Sequence, residues 1–167
     1  MSKKPNAIAE AMFNGDFYRI IPMSQGMLSY AEPSASPQYL DPYADDESLG
    51  KAVREALSHS KRVSIDEFQN IFHSGIIQKN ADERNALAMK EYGYKTKRAM
   101  WKKMDSCGVA VFDDRIEIQP THQKSLDSYT ANKTEGPFPL DIPTTASDAE
   151  LGAVLREGFK RCTSAIR

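Results

Sequence analysis

Three histidines, two cysteines and two charged stretches studded with aromatics are the residues of this 167-residue chain whose types could support chemistry or recognition. The histidines are His59, His73 and His122. A metal site of the His-Glu-x-x-His kind needs two histidines at i and i+4 on one helix face, and none here has a partner at that spacing. Folding could bring His59 and His122 together as a ribonuclease-type general acid/base pair. The preferred reading is that they are ordinary surface or helix-end residues. The chain contains no Cys-x-x-Cys pair, phosphate-binding glycine loop, Gly-x-Gly-x-x-Gly or Gly-x-Ser-x-Gly elbow. The expectation is a protein that is not an enzyme, has no catalytic residue, and takes no metal and no cofactor.

The first charged stretch, residues 39–47 (YLDPYADDE), interleaves Tyr39 and Tyr43 with Asp41, Asp45, Asp46 and Glu47. Acids just ahead of a helix are favoured by its dipole, which accounts for some of them. The functional reading is a docking patch. Aromatics supply anchoring area and carboxylates steer a basic protein partner. Tyr39, Asp41, Tyr43, Asp45, Asp46 and Glu47 are therefore the candidate partner-binding residues. The second stretch, residues 90–103, mixes Lys90, Lys95, Lys97, Arg98, Lys102 and Lys103 with Tyr92, Tyr94 and Trp101. Basic and aromatic residues together can hold single-stranded nucleic acid by charge neutralisation and base stacking. The competing reading, a solvated helix face with Tyr94 and Trp101 in the core, fits better with a chain of net charge −1.

The elements that must position these residues are organised around a repeat. DESLGKAVREALSHS at 46–60 and DAELGAVLREGFKRC at 148–162 are related by a shift of 102 positions. The shift pairs Asp46 with Asp148, Leu49 with Leu151, Gly50 with Gly152, Arg54 with Arg156 and Glu55 with Glu157. Both copies have the i, i+3, i+4, i+7 apolar spacing of an amphipathic helix. Asp45 is the cap candidate of the first, and Ser147 with Glu150 forms a capping box for the second. A glycine inside a helix costs about 1 kcal/mol relative to alanine. Its recurrence at one position predicts another backbone close to each first turn.

Residues 16–23 and 27–31 read as strands, 64–73 and 94–104 as helices, and 107–112 with 115–119 as a hairpin around Asp113-Asp114. Pro22 should mark a sheet edge or a strand end. Residues 32–44 read as a loop, 80–91 as a polar helix or excursion, 121–135 as ambiguous, and 136–143 as an extended edge. Strands and helices without a βαβ rhythm predict an α+β fold. Its sheet is mainly antiparallel, with two equivalent amphipathic helices, 46–60 and 148–162, packed on it. Residues 1–10 are expected to be a disordered tail ahead of a single domain at 11–167. Cys107 and Cys162 lie in apolar runs and are too few for a secreted disulfide framework, so reduced core thiols are expected. No apolar run approaches the ~20 residues of a membrane span, and a cytoplasmic protein is expected.

Four separated segments, FYRIIPMSQG, ESLGKAVREAL, EYGYKTKRAMWKKM and DAELGAVLREGF, give the chain a family resemblance from about Phe13 to Cys162. It resembles CdiI, the immunity proteins of bacterial contact-dependent growth inhibition (CDI). The resemblance implies a cytoplasmic inhibitor that binds the C-terminal toxin domain of a large surface effector, CdiA, in a 1:1 complex. Such toxins are most often nucleases. It implies no membrane and no direct contact with nucleic acid. The family has no shared catalytic motif, and its binding surfaces diversify, so no residue role carries over. The alternative function is a small nucleic-acid-binding protein using residues 90–103.

Overall fold

A computed structural model describes residues 4–167. The chain opens with a hairpin of β1 (Ala7–Phe13) and β2 (Tyr18–Gln25), in which Phe13 lies opposite Tyr18. Short strands β3 (Ser29–Ala31) and β4 (Gln38–Leu40) both pair with the outer edge of β2. Four helices follow: α1 (Asp46–Ser58), α2 (Ile65–His73), α3 (Ile76–Tyr92) and α4 (Lys97–Trp101). The chain then returns through β5 (Asp105–Val111), β6 (Arg115–Pro120), β7 (His122–Ser125), β8 (Ser128–Thr130) and β9 (Leu140–Pro143). It closes with α5 (Asp148–Arg161) and β10 (Thr163–Ser164). The main sheet is antiparallel in the order β3-β2-β1-β5-β6-β9, with β4 also on β2. A small second sheet has the order β10-β7-β8, with β10 parallel to β7. The architecture is α+β.

Strand alternation gives the main sheet two faces. Ala9 and Ala11 of β1, Tyr18 and Ile20 of β2, Cys107 and Val109 of β5, and Ile116 and Ile118 of β6 join one core cluster. The same cluster holds Leu49, Val53 and Ala56 of α1 and Leu151, Leu155 and Phe159 of α5. This covered face is dry. Leu49, Val53, Leu151 and Leu155 expose no surface, and each such leucine stabilises the fold by about 2 kcal/mol.

The repeat is a real structural equivalence. A Cβ added at Gly50 would collide with the main-chain carbonyl of Asp148, 2.6 Å from its carbon and 2.9 Å from its Cα. One added at Gly152 would meet the Asp46 carbonyl in the same way, 2.6 Å and 2.8 Å from the corresponding atoms. The close backbone is thus the sister helix. Each glycine makes room for the other helix's first turn. Two arginines fasten the crossing. Arg54 Nε lies 2.8 Å from Asp148 Oδ1, and its Nη2 donates to the Ala146 carbonyl. Arg156 Nε lies 2.5 Å from Asp46 Oδ1, and its Nη2 donates to the Ala44 carbonyl. The same offset of 102 relates all three positions of the two latches.

The caps form as expected. Asp45 Oδ1 accepts from Ser48 N at 2.8 Å, and Ser147 and Glu150 bond reciprocally. Five expectations change. The expected tail includes residues of β1, an interior strand, so the folded region starts by Ala7 rather than residue 11; residues 1–3 of that tail lie outside those described. The loop at 32–44 contains β4. The helix at 94–104 shortens to α4, and the ambiguous segment 121–135 supplies β7 and β8. Pro22 lies inside β2, where β4 pairing has stopped at Ile20 and β3 pairing begins at Met23. Its missing N–H costs no ladder bond in a stretch where the edge partner is interrupted.

Candidate functional site

The six candidate residues at 39–47 divide into two groups. Tyr39 is packed edge-on against Phe17 at 5.4 Å and tilted against Tyr92 at 6.0 Å. Asp45 caps α1, and the hydrogen bonds it accepts from the Ser48 side chain and backbone hold its carboxyl below the usual carboxylate range. Asp46 is the anchor of Arg156. Asp41, Tyr43 and Glu47 remain outward. Asp41 Oδ1 accepts from Tyr43 N at 2.8 Å, which shapes the turn. Tyr43 is 92 % exposed. A large aromatic held this far into solvent beside two exposed carboxylates fits protein recognition rather than packing.

The uncovered face of the main sheet is the second feature. Its residues include Ile8, Glu10 and Met12 of β1, Arg19 and Met23 of β2, Gly108 and Ala110 of β5, and Glu117 and Gln119 of β6. At the β1–β2 turn end this face is roofed by a cluster of Met12, Phe17, Ala88, Met100, Trp101 and Met104. Arg19 is 2 % exposed there. Its Nη1 donates to Asn85 Oδ1 at 3.1 Å, its Nη2 lies 3.2 Å from Met12 Sδ, and its guanidinium sits over the Trp101 ring. Towards the other end the face opens into a cleft of about 260 Å³ lined by Ile8, Glu10, Met23, Gly108, Ala110 and Glu117, among others. Burial raises the Glu10 carboxyl above its ordinary value, against the opposing pull of Arg19 and Arg84.

A neighbouring cleft of about 270 Å³ separates the 31–37 loop from α3. Glu32 at its rim is buried, accepting from Ser24 Oγ at 3.0 Å and Ser34 N at 2.9 Å. Burial alone would raise its carboxyl. The hydrogen bonds from Ser34 and Ser24, with Lys61 nearby, outweigh burial and lower it.

The basic stretch divides between core and surface. Trp101 and Met100 are buried, and Tyr94 packs against the same cluster. The Tyr94 hydroxyl is held between Asn14 and Asp16, and burial together with Asp16 pushes it up to about 12. Lys97 pairs with Asp127 at 2.8 Å. The histidines meet different groups: His59 contacts Glu55 at 3.1 Å, and His122 Nδ1 lies 2.7 Å from Thr163 Oγ1. Cys107 and Cys162 are free thiols 3.7 Å apart. Among the described residues, no three of His, Cys, Asp and Glu gather as metal ligands, and no helix is long and apolar enough to cross a membrane.

The family model for the CDI immunity protein, CdiI, matches residues 7–162. The chain belongs to the CdiI family. Immunity protein CdiI-YPIII of Yersinia pseudotuberculosis serotype O:3 (strain YPIII) is 29 % identical over 171 aligned residues. That alignment covers 94 % of this chain and 96 % of the relative. Among solved structures, the CdiA-CT/CdiI toxin and immunity complex from Yersinia pseudotuberculosis matches with a TM-score of 0.83 and 29 % identity, over 94 % of this chain and 97 % of that one. A protein of unknown function from Neisseria meningitidis shares the fold, with a TM-score of 0.86 and 24 % identity over 97 % of this chain and 99 % of that one. CdiI membership agrees with the resemblance carried by the four sequence segments. Sequence reasoning missed the open cleft and the arginine latches. The repeated Asp and Arg, eight residues apart in each copy, were the signal for the latches.

Proposed function

We propose that this chain is a cytoplasmic immunity protein that binds the C-terminal toxin domain of its cognate CdiA effector in a 1:1 complex and inhibits it. The observation that carries this reading is the match along nearly the whole length to CdiI-YPIII and to the fold found in a CdiA-CT/CdiI complex. The toxin class is a nuclease. Such an enzyme presents a basic surface to a polyanion, and an inhibitor gains in association rate by meeting it with carboxylates. The outward members of the 39–47 segment, Asp41, Tyr43 and Glu47, make that contact, with Asp45 next to them. Tyr39 and Asp46 hold the segment in place. The burial of Trp101 and the engagement of Tyr94 favour this reading over nucleic-acid binding at residues 90–103, because they withdraw two stacking surfaces from solvent.

The test is co-expression. The toxin domain encoded by the neighbouring effector gene is induced with and without this chain. Growth is restored only in its presence if the reading holds. Unrescued cells making a soluble, folded chain would end it. Reversing Asp41 and Glu47 to lysine tests the contact. Neither is the α1 cap, and the turn bond that Asp41 would lose is an exposed one, so the melting temperature should move by only a few degrees while association slows, most strongly at low ionic strength.

A further inference from the structure

The cleft on the uncovered face centres on a glycine, Gly108. Gly108 lies inside β5, between β1 and β6, opposite both Glu10 and Gln119. A glycine in a strand interior weakens the strand and often marks the close approach of another group. No internal neighbour explains this one. A Cβ added at Gly108 would meet only Gln119 Cβ, at 3.8 Å, which is ordinary contact. Gly50 and Gly152 have no such room. The missing side chain therefore keeps open a space that the protein's own atoms leave unfilled.

Glu10 borders that space. Its carboxyl is desolvated enough to be raised in pKa, yet among the described residues no hydrogen bond or ion pair reaches it. Arg19 and Arg84 act on it only through space. Glu117, opposite Ala110, adds a second carboxylate to the lining. Ile8, Met23 and Ala110 supply apolar walls. Glu10 is half-buried, and an acid in that setting with no donor from its own chain gains from a charge-assisted bond to a partner's cation. The complement of an acid among apolar walls is a side chain with an apolar stem and a cationic head, as in lysine and arginine.

We propose that the cleft over Gly108 receives a lysine or arginine side chain of the toxin domain, with its stem between Ile8, Met23 and Ala110 and its charge on Glu10 and Glu117. This rests on the immunity reading above and adds a second contact to the 39–47 segment. Ile8 pairs with Met23, five residues along β2 from Tyr18, which pairs with Leu40. At 3.4 Å per residue that is about 17 Å, a span one standard interface of about 800 Å² per partner can cover.

The experiment measures the affinity of the purified chain for its cognate toxin domain, using wild type, Gly108→Val and Glu10→Gln. Valine fills the cleft and suits a strand, so Gly108→Val should melt within about 3 °C of wild type or higher. Its affinity should fall by at least about tenfold. Glu10→Gln keeps shape and removes charge, so it should weaken binding several-fold and flatten its salt dependence. Should Gly108→Val fail to fold, Glu10→Gln still decides. Wild-type affinity in the folded variants would overturn this inference alone. A wild-type chain that self-associates, with Gly108→Val monomeric, would overturn it in favour of a second copy as occupant. No complex with the wild-type chain would overturn the immunity reading, and this inference with it.

Discussion

The two faces of the main sheet use the same residue type for opposite reasons. On the covered face, Gly50 and Gly152 are glycines because another backbone occupies the place of their Cβ atoms. On the uncovered face, Gly108 is a glycine with space above it. The charged groups divide in the same way. Arg54 and Arg156 on the covered side are matched to Asp148 and Asp46 and to main-chain carbonyls. Among the described residues, Glu10 on the open side has no hydrogen-bond or ion-pair partner, and Arg19 Nε, under the roofed end, has no acceptor. Buried polar groups normally find partners inside the protein, and the latches of the covered side follow that rule. The covered face is a scaffold held by pseudo-symmetry, and the open face holds the cleft proposed above as a second toxin contact.

The largest effect that could break this contrast is at the helix crossing. Gly50→Ala or Gly152→Ala should each destabilise by about 3 kcal/mol, because the added methyl overlaps a main-chain carbonyl that can move only with its helix. Denaturant unfolding measures it, and a raised melting temperature in either variant would remove the close-approach argument there. Next comes Arg156→Ala. It leaves the Asp46 carboxylate, the Tyr18 hydroxyl and the Ala44 carbonyl without their donor, and partial exposure limits the loss to about 2 kcal/mol. Arg54→Ala should cost somewhat less, since the contacts seen for it are Asp148 and the Ala146 carbonyl.

Two carboxylates sharpen the comparison through pH. Glu10 has a folded pKa raised by burial above the ordinary 4.5. Its contribution to stability is complete below that value and is lost as pH rises through the raised one. Glu10→Gln, which mimics the protonated form, should therefore melt higher than wild type at neutral pH, with the gap closing below pH 4.5. Glu32 behaves in the opposite sense. The hydrogen bonds from Ser34 and Ser24 overcome burial and lower its pKa. Its stabilisation is present above the ordinary value and is lost as pH falls through the lowered one. Glu32→Gln should melt lower at neutral pH, and the difference should shrink on acidification. Equal pH profiles for the two variants would contradict the division into satisfied and unsatisfied acids. The smallest effect is at Gly108→Val, where stability should hardly move.

The covered face was legible in the sequence. Its helices carry apolar residues at helical spacing, and their glycines recur at a fixed offset, so local pattern and repeat agree. The hairpin of β5 and β6 was legible through its alternation around Asp113-Asp114. The strand β1 was not. AIAEAMF presents alanines where a strand usually shows branched or aromatic residues, because Ala9 and Ala11 lie beneath the crossed helices. The cleft was invisible for a different reason. Its lining comes from β1, β2, β3, β5 and β6, and only register brings Glu10 beside Gly108 and Ala110 beside Glu117. The 39–47 segment was legible as acidic and aromatic, but which of its acids are committed to the scaffold depended on Arg156, 110 residues beyond Asp46.

Titration of the purified chain into its cognate CdiA toxin domain, with heat of binding and toxin activity followed on the same samples, decides whether this chain is an inhibitor. Saturation is expected at one chain per toxin, with toxin activity lost in step with complex formation. A toxin that remains fully active when saturated with this chain, or that forms no complex at micromolar concentrations, would contradict it.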